Sequence, residues 1–166
     1  MKRFVPLTSL FLLLAISSGL QAQQYRFRSY GAAQGFMSRG AETAAEDSSG
    51  FLWFGSSTGL YRFDGIKTLT WDFSDIPEKE GRQVKVSEII IDAKDNIWLA
   101  TTEQLIKLEP ITRHAVRIRN FVDSKGEKID TKIFSMAADQ KGGVYGVSAD
   151  GLFYVAPGDT TGKRMA

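Results

Sequence analysis

The chain has 166 residues, 43% of them hydrophobic, with 16 glycines, no cysteine and a formal net charge of +2. That is a globular, turn-rich composition. It excludes disulfides and thiolate metal sites, and with them a lipid anchor built on a cysteine at the cleavage point. Lys2 and Arg3 account for the charge excess, because the other 19 basic residues equal the 19 acidic ones. No basic stripe remains to bind nucleic acid.

At the N-terminus, Lys2 and Arg3 precede an apolar core from Phe4 to Ile16, and Leu20-Gln21-Ala22 gives a small-residue site before Gln23. This order predicts a signal peptide over residues 1–22. A membrane anchor is the competing reading, but the apolar stretch is well short of the roughly 20 residues that span a bilayer. Sec-type export places the mature chain outside the cytoplasm, in the periplasm. Residues 24–39 form a lead-in. Gln24 to Tyr30 alternates polar and aromatic residues, as an outer strand would, and a loop follows.

One phrase is then written three times, over residues 46–63, 91–108 and 138–155. Asp47, Asp92 and Asp139 each stand six residues before Trp53, Trp98 and Tyr145, and Leu60, Leu105 and Leu152 follow those aromatics by seven. Short strands repeating at a period in the mid-forties mark the blades of a β-propeller. The predicted fold is all-β, a partial propeller of about three four-stranded blades over residues 23–166. Blade 1 spans 40–73: Asp47 to Gly50 turns, Phe51 to Ser56 and Leu60 to Phe63 are strands, and Asp64-Gly65 suggests a two-residue type I′ hairpin into an outer strand from Ile66 to Trp71. Blade 2 spans 84–118, with a β-branched inner strand at Val86 to Ile91 and further strands at Ile97 to Thr101 and Leu105 to Leu108. Gly59 and Gly151 precede the third strand of their units, where a tight reversal favours glycine; Gln104 breaks that pattern, so its turn must be built differently. Blade 3 spans 131–158 and is incomplete, with Gly158 to Lys163 read as a loop. Three blades cannot surround a channel, so exposed edges and apolar faces predict association or poor solubility of residues 23–166 alone.

The pattern from Glu46 to Gly65 resembles the repeat of two-component regulator propellers, the periplasmic sensor regions of bacterial hybrid histidine kinases and related regulators. Tyr25 to Ala41 is similar to the opening of such proteins, although Phe36 stands where leucine is usual. The resemblance implies an extracytoplasmic ligand-sensing module, with glycan-derived oligosaccharides as ligands. Its partners would be the remaining blades and C-terminal signalling domains, in a dimer of the full-length protein. It transfers no catalytic residue and no cofactor, so the chain itself is read as a non-enzyme. An exported propeller enzyme acting on polysaccharide, or an envelope adhesion or scaffold propeller, are the alternatives.

Ligand contacts are expected in the loops 31–40, 74–83 and 119–130. The aromatics off the repeat register, Tyr30, Phe36 and Trp71, are the candidate ligand-binding residues, since sugar rings stack on aromatic faces. Trp53, Trp98 and Tyr145 recur at constant register and are expected to pack between blades. The three aspartates, at equivalent points of separate blades, are expected to hold turns; a catalytic carboxylate pair must converge within about 5–10 Å. His114, the one histidine, has no partner ligands nearby in sequence, and a metal site needs several. Ser56 and Thr101 lack the base and glycine elbow of a nucleophile and are expected to serve in hairpins.

Overall fold

The computed structural model describes residues 26–71, 84–102 and 104–165. The predicted signal peptide and the loop 74–83 lie outside them. Three sheets carry the repeat, the first two wholly antiparallel. Strands β1 (Thr43–Glu46), β2 (Leu52–Ser56), β3 (Gly59–Phe63) and β4 (Thr68–Trp71) form the first in sequential order. The second contains β5 (Val86–Ile91), β6 (Ile97–Thr101), β7 (Leu105–Glu109) and β8 (His114–Ile118). The third adds a hairpin, β9 (Asn120–Val122) and β10 (Lys128–Ile129), to β11 (Ser135–Ala138), β12 (Val144–Ser148), β13 (Gly151–Val155) and β14 (Thr161–Arg164). The inner strands β1, β5 and β11 are neighbours, so the sheets stack through their inner edges and faces. This is a partial propeller.

Side-chain alternation gives each sheet two apolar faces. The front of the first sheet carries Trp53 and Leu60; these pack on Val86 and Ile89 of β5 and on Ile97, Leu99, Ile106 and Leu108, the back of the second sheet. One repeat further on, Trp98, Ala100 and Leu105 cover Met136, Val144, Phe153 and Val155. β6 is buried along its whole length because both its faces are covered, which is why it reads as a continuous apolar run and not an alternating one. Polar contacts align the sheets. The Ile89 amide donates to Thr43 Oγ1 at 3.2 Å, and the Ser135 hydroxyl donates to Glu88 Oε1 at 3.1 Å. The Ser48 amide and hydroxyl both donate to the Asp95 carboxylate.

Several expectations are corrected. The lead-in forms no strand among residues 26–39; it contains one 3₁₀ turn, Ala32–Gln34, and its aromatics Tyr30 and Phe36 fold onto the face of the first sheet instead of pairing along an edge. The Asp64-Gly65 hairpin is a four-residue loop, with Phe63 paired to Thr68 and positive φ at Gly65. The Asp64 carboxylate accepts the Ile66 and Lys67 amides, which holds its pKa below the ordinary value and stabilises the longer loop. The third blade continues past 158: Thr161–Arg164 is its fourth strand, paired with β13. Residues 119–130, expected as a surface loop, carry the β9–β10 hairpin, whose first strand pairs parallel to β14. Phe121 on that hairpin meets Phe153 edge-on at 5.3 Å.

The first and second sheets pack closely at Gly55. A Cβ there would stand 2.6 Å from Thr43 Cγ2 and 2.7 Å from Val86 Cγ1, so any larger residue pushes β5 away from the first sheet. Gly55→Ala is expected to lower stability by about 1–3 kcal/mol, as overpacking does, measured by urea unfolding. An unchanged midpoint would mean that this contact is loose.

Candidate functional site

A concavity lies where the lead-in crosses the back of the first sheet. Its walls are Tyr30, Phe36, Met37 and Arg39 on one side and Leu52, Phe54, Phe63 and Thr68 on the other, around a volume of about 590 Å³. Two features fix the lead-in. Gly35, at φ 90°, presses so closely on Thr68 that a Cβ would stand 2.5 Å from its carbonyl oxygen. Phe36 meets Tyr61 at 4.9 Å and Phe54 at 6.1 Å, and Tyr30 meets Phe63 at 4.8 Å, all edge-on. The lining is mainly apolar, with Ser38 and Arg39 supplying a hydroxyl and a cation.

Two of the three predicted ligand residues, Tyr30 and Phe36, therefore share this cleft. Trp71 does not. It pairs with Leu60 on the front of the first sheet, packs 5.1 Å from Trp53 and has the Arg113 guanidinium 5.5 Å over its ring. The 119–130 hairpin belongs to the third sheet. Met37 and Arg39, which line the cleft while staying exposed, were not singled out by sequence, because nothing in an irregular segment marks which side chains will stand beside a cleft.

The repeated aspartates are committed to their own hairpins. Asp47 Oδ1 accepts the Ser49 and Phe51 amides, Asp92 Oδ1 those of Lys94 and Asn96, and Asp139 Oδ1 those of Lys141 and Gly143. The second oxygen takes a side-chain donor. Trp53 Nε1–H donates to Asp47 at 2.8 Å, and Trp98 Nε1–H donates to Asp92 at 3.0 Å. In the third repeat Tyr145 cannot supply an indole, and the donor is the Tyr154 hydroxyl of the adjacent strand, 2.5 Å from Asp139 Oδ2. Glycine at 143 leaves the space for it. Ser56, Thr101 and Ser148 likewise hold the next turn, their hydroxyls donating to the carbonyls of Gly59, Gln104 and Gly151. Thr101 also accepts the Gln104 amide, so hydroxyl bonding fastens the turn in which glycine is missing. Among the described residues no cluster of three or more His, Cys, Asp or Glu could hold a metal ion. His114 is exposed at the start of β8.

These bonds set the titration. Burial raises the Asp92 pKa, but the Trp98, Asn96 and backbone donors together outweigh it and hold it below the ordinary value. The Tyr154 bond lowers Asp139 in the same direction and pushes Tyr154 up to about 12. A lowered carboxylate contributes stability that is present above its unfolded pKa and lost as pH falls through its folded one. Asp92→Asn is therefore expected to flatten the acid limb of the stability profile. Asp92→Ala, which leaves a buried indole N–H unpaired, should cost about 1–3 kcal/mol. Tyr154 works in the opposite sense: its contribution is present below the unfolded value near 10 and lost as pH rises through about 12. Tyr154→Phe should remove the latest step from an ultraviolet tyrosinate titration. Loss of a step near the ordinary value of 10 instead would show that the Asp139 bond does not persist in solution.

No family model and no curated protein matches the chain. Solved structures do match in fold. The extracellular domain of the putative hybrid two component system BT3049 from B. thetaiotaomicron superposes with a TM-score of 0.60 at 19% identity, over 77% of this chain and 18% of that one. Two structures of the extracellular domain of BT4673 from the same organism, described as a putative hybrid two component system and a putative one component system, give TM-scores of 0.54 and 0.59. Their identities are 21% and 19%, over 73% and 86% of this chain and 18% and 21% of theirs. The chain thus spans about a fifth of the length of these neighbours. It shares the fold of two-component extracellular domains, the class its repeat resembles. Among the described residues no helix is long and apolar enough to cross a membrane.

Proposed function

We propose that this chain is part of the extracytoplasmic ligand-sensing propeller of a larger signalling protein. It binds a glycan-derived oligosaccharide and passes the event through further blades to C-terminal signalling domains. The observation that carries this reading is the cleft between the lead-in and the first sheet, in a fold shared with two-component extracellular domains. Tyr30 and Phe36 offer aromatic surface to the apolar faces of sugar rings, while Ser38 and Arg39 can bond hydroxyl or carboxylate substituents. Asp47, Asp92 and Asp139 are each occupied by turn amides and an aromatic donor, so the repeat supplies structure and leaves recognition to the irregular segments.

A panel of plant, host and microbial oligosaccharides tests the reading by thermal shift and calorimetry on the whole chain. A bound sugar at 100 times its Kd should stabilise the fold by about 2.7 kcal/mol. Tyr30→Ala and Phe36→Ala should each weaken binding about ten-fold, while Trp71→Ala should lower the melting temperature and leave affinity unchanged. Absence of any stabilising sugar overturns the glycan reading, and release of shortened products would favour the polysaccharide-active enzyme.

A further inference from the structure

The cleft between the lead-in and the first sheet is electrically one-sided. The lead-in from Arg26 to Ala41 carries three arginines, Arg26, Arg28 and Arg39, and no acidic residue, although acidic and basic residues are equal in number beyond Arg3. All three are exposed. Arg39 lines the cleft, and no other lining residue is charged. The acids next in sequence to lining residues are Glu42 and Asp64, and both are committed elsewhere. Glu42 pairs with Lys85 at 3.0 Å, and the Asp64 carboxylate accepts the Ile66 and Lys67 amides. Among the described residues no carboxylate pairs with Arg39. The hydrogen-bonding side chains of the lining are lopsided in the same sense. Apart from Arg39 they are the hydroxyls of Tyr30, Ser38 and Thr68, with no carboxylate or amide among them, and the Ser38 hydroxyl already donates to the Gly40 carbonyl at 3.1 Å.

We infer that the cleft selects an anionic oligosaccharide, one that carries a carboxylate or sulphate group, and that Arg39 is its specificity-determining residue. A sugar hydroxyl both donates and accepts, whereas a guanidinium has five N–H donors and no acceptor. A site whose strongest polar group only donates is matched by a ligand rich in acceptors. The planar fork of arginine fits two oxygens of one carboxylate or sulphate at once, which adds geometry to charge. The anion then sits at the rim on Arg39 while the ring lies against Tyr30 and Phe36. Arg26 and Arg28 add positive charge to the same segment and draw an anion toward it from solution. This inference rests on the ligand reading above and narrows the class of sugar.

Calorimetry on the whole chain with matched pairs of sugars tests it. The pairs are an oligogalacturonate and its methyl ester, a hyaluronan oligosaccharide and its carboxyl-reduced form, and a sulphated galactan oligosaccharide and its desulphated form. Each pair keeps the sugar skeleton and removes only the charge. The anionic member of at least one pair should bind the wild type about ten-fold more tightly than its neutral partner, as one charged hydrogen-bonded contact allows. The pair that shows this names the substituent. The preference should shrink between about 0.05 and 0.5 M salt, as screening shortens the reach of exposed charges. Arg39→Gln should abolish it without lowering the melting temperature. Arg39→Lys should keep only part of it, because an ammonium cannot form the fork. Neutral and anionic members that bind the wild type alike overturn this inference and leave the sugar-sensing reading standing. So does a preference that survives Arg39→Gln. If no member of any pair binds, both readings fall together.

Discussion

One carboxylate at the head of each repeat ties three levels of the structure together. Its first oxygen closes a hairpin through two amides, and its second fixes an aromatic side chain against the interface. A turn aspartate ordinarily acts only on its own loop. Here it also orients the ring that fills the gap to the next sheet, so loop chemistry and sheet packing are coupled in a single side chain. Charge-assisted bonds of this kind are stronger than neutral ones, and beside a buried indole they are shielded from competing water. Trp53 and Trp98 are completely buried for that reason; an indole held elsewhere would leave a void or an unpaired N–H.

The third repeat shows which part of this device is essential. The aromatic on β12 is Tyr145, with no indole N–H, yet Asp139 still receives a donor, now from Tyr154 on β13. The same position on β3 and β7 holds Arg62 and Lys107, which lie over Trp53 and Trp98 as cations on aromatic faces. Tyr154 in turn packs on Tyr145 at 4.8 Å. The chain therefore conserves a donor to the carboxylate and a partner for the ring, while exchanging which strand supplies each. The physical requirement is a satisfied carboxylate beneath a packed ring, and more than one pair of side chains meets it.

Much of this was legible in the sequence because it is periodic. Val86–Ile91 and Ile97–Thr101 lie where their apolar runs put them, and the aspartates hold turns as their equal spacing implied. The lead-in and the segment after residue 118 were misjudged for opposite reasons. The aromatic alternation of Gln24 to Tyr30 suits a strand, but a strand needs an edge, and edges are a property of the assembled sheets. The hairpin at 120–129 did carry a signal. Asp123-Ser124-Lys125-Gly126 is the same turn as Asp47-Ser48-Ser49-Gly50, down to Asp123 Oδ1 accepting the amides two and four residues on. It was hidden because its strands are only three and two residues long and its partner β14 lies some forty residues later. The cleft was only half visible: Tyr30 and Phe36 stood out as aromatics off register, whereas Trp71 stood out equally and serves the stack.

The added hairpin also explains how the outer edge of the third sheet is held in order. β14 would otherwise be an outer strand with little to hold it, since its polar sequence Thr161-Gly162-Lys163-Arg164 contributes few apolar contacts. β9 supplies a parallel partner along its outer edge, and Gly162 lets the Phe121 ring lie flat against that strand, where a Cβ would come within 2.4 Å of it. Because Asn120 follows Ile118 almost directly, the segment that finishes the second sheet begins the brace of the third. Covering the outer edge in this way blunts the hazard of an open strand while leaving the broad front untouched. The outer edge of the third sheet is thus closed from within the chain.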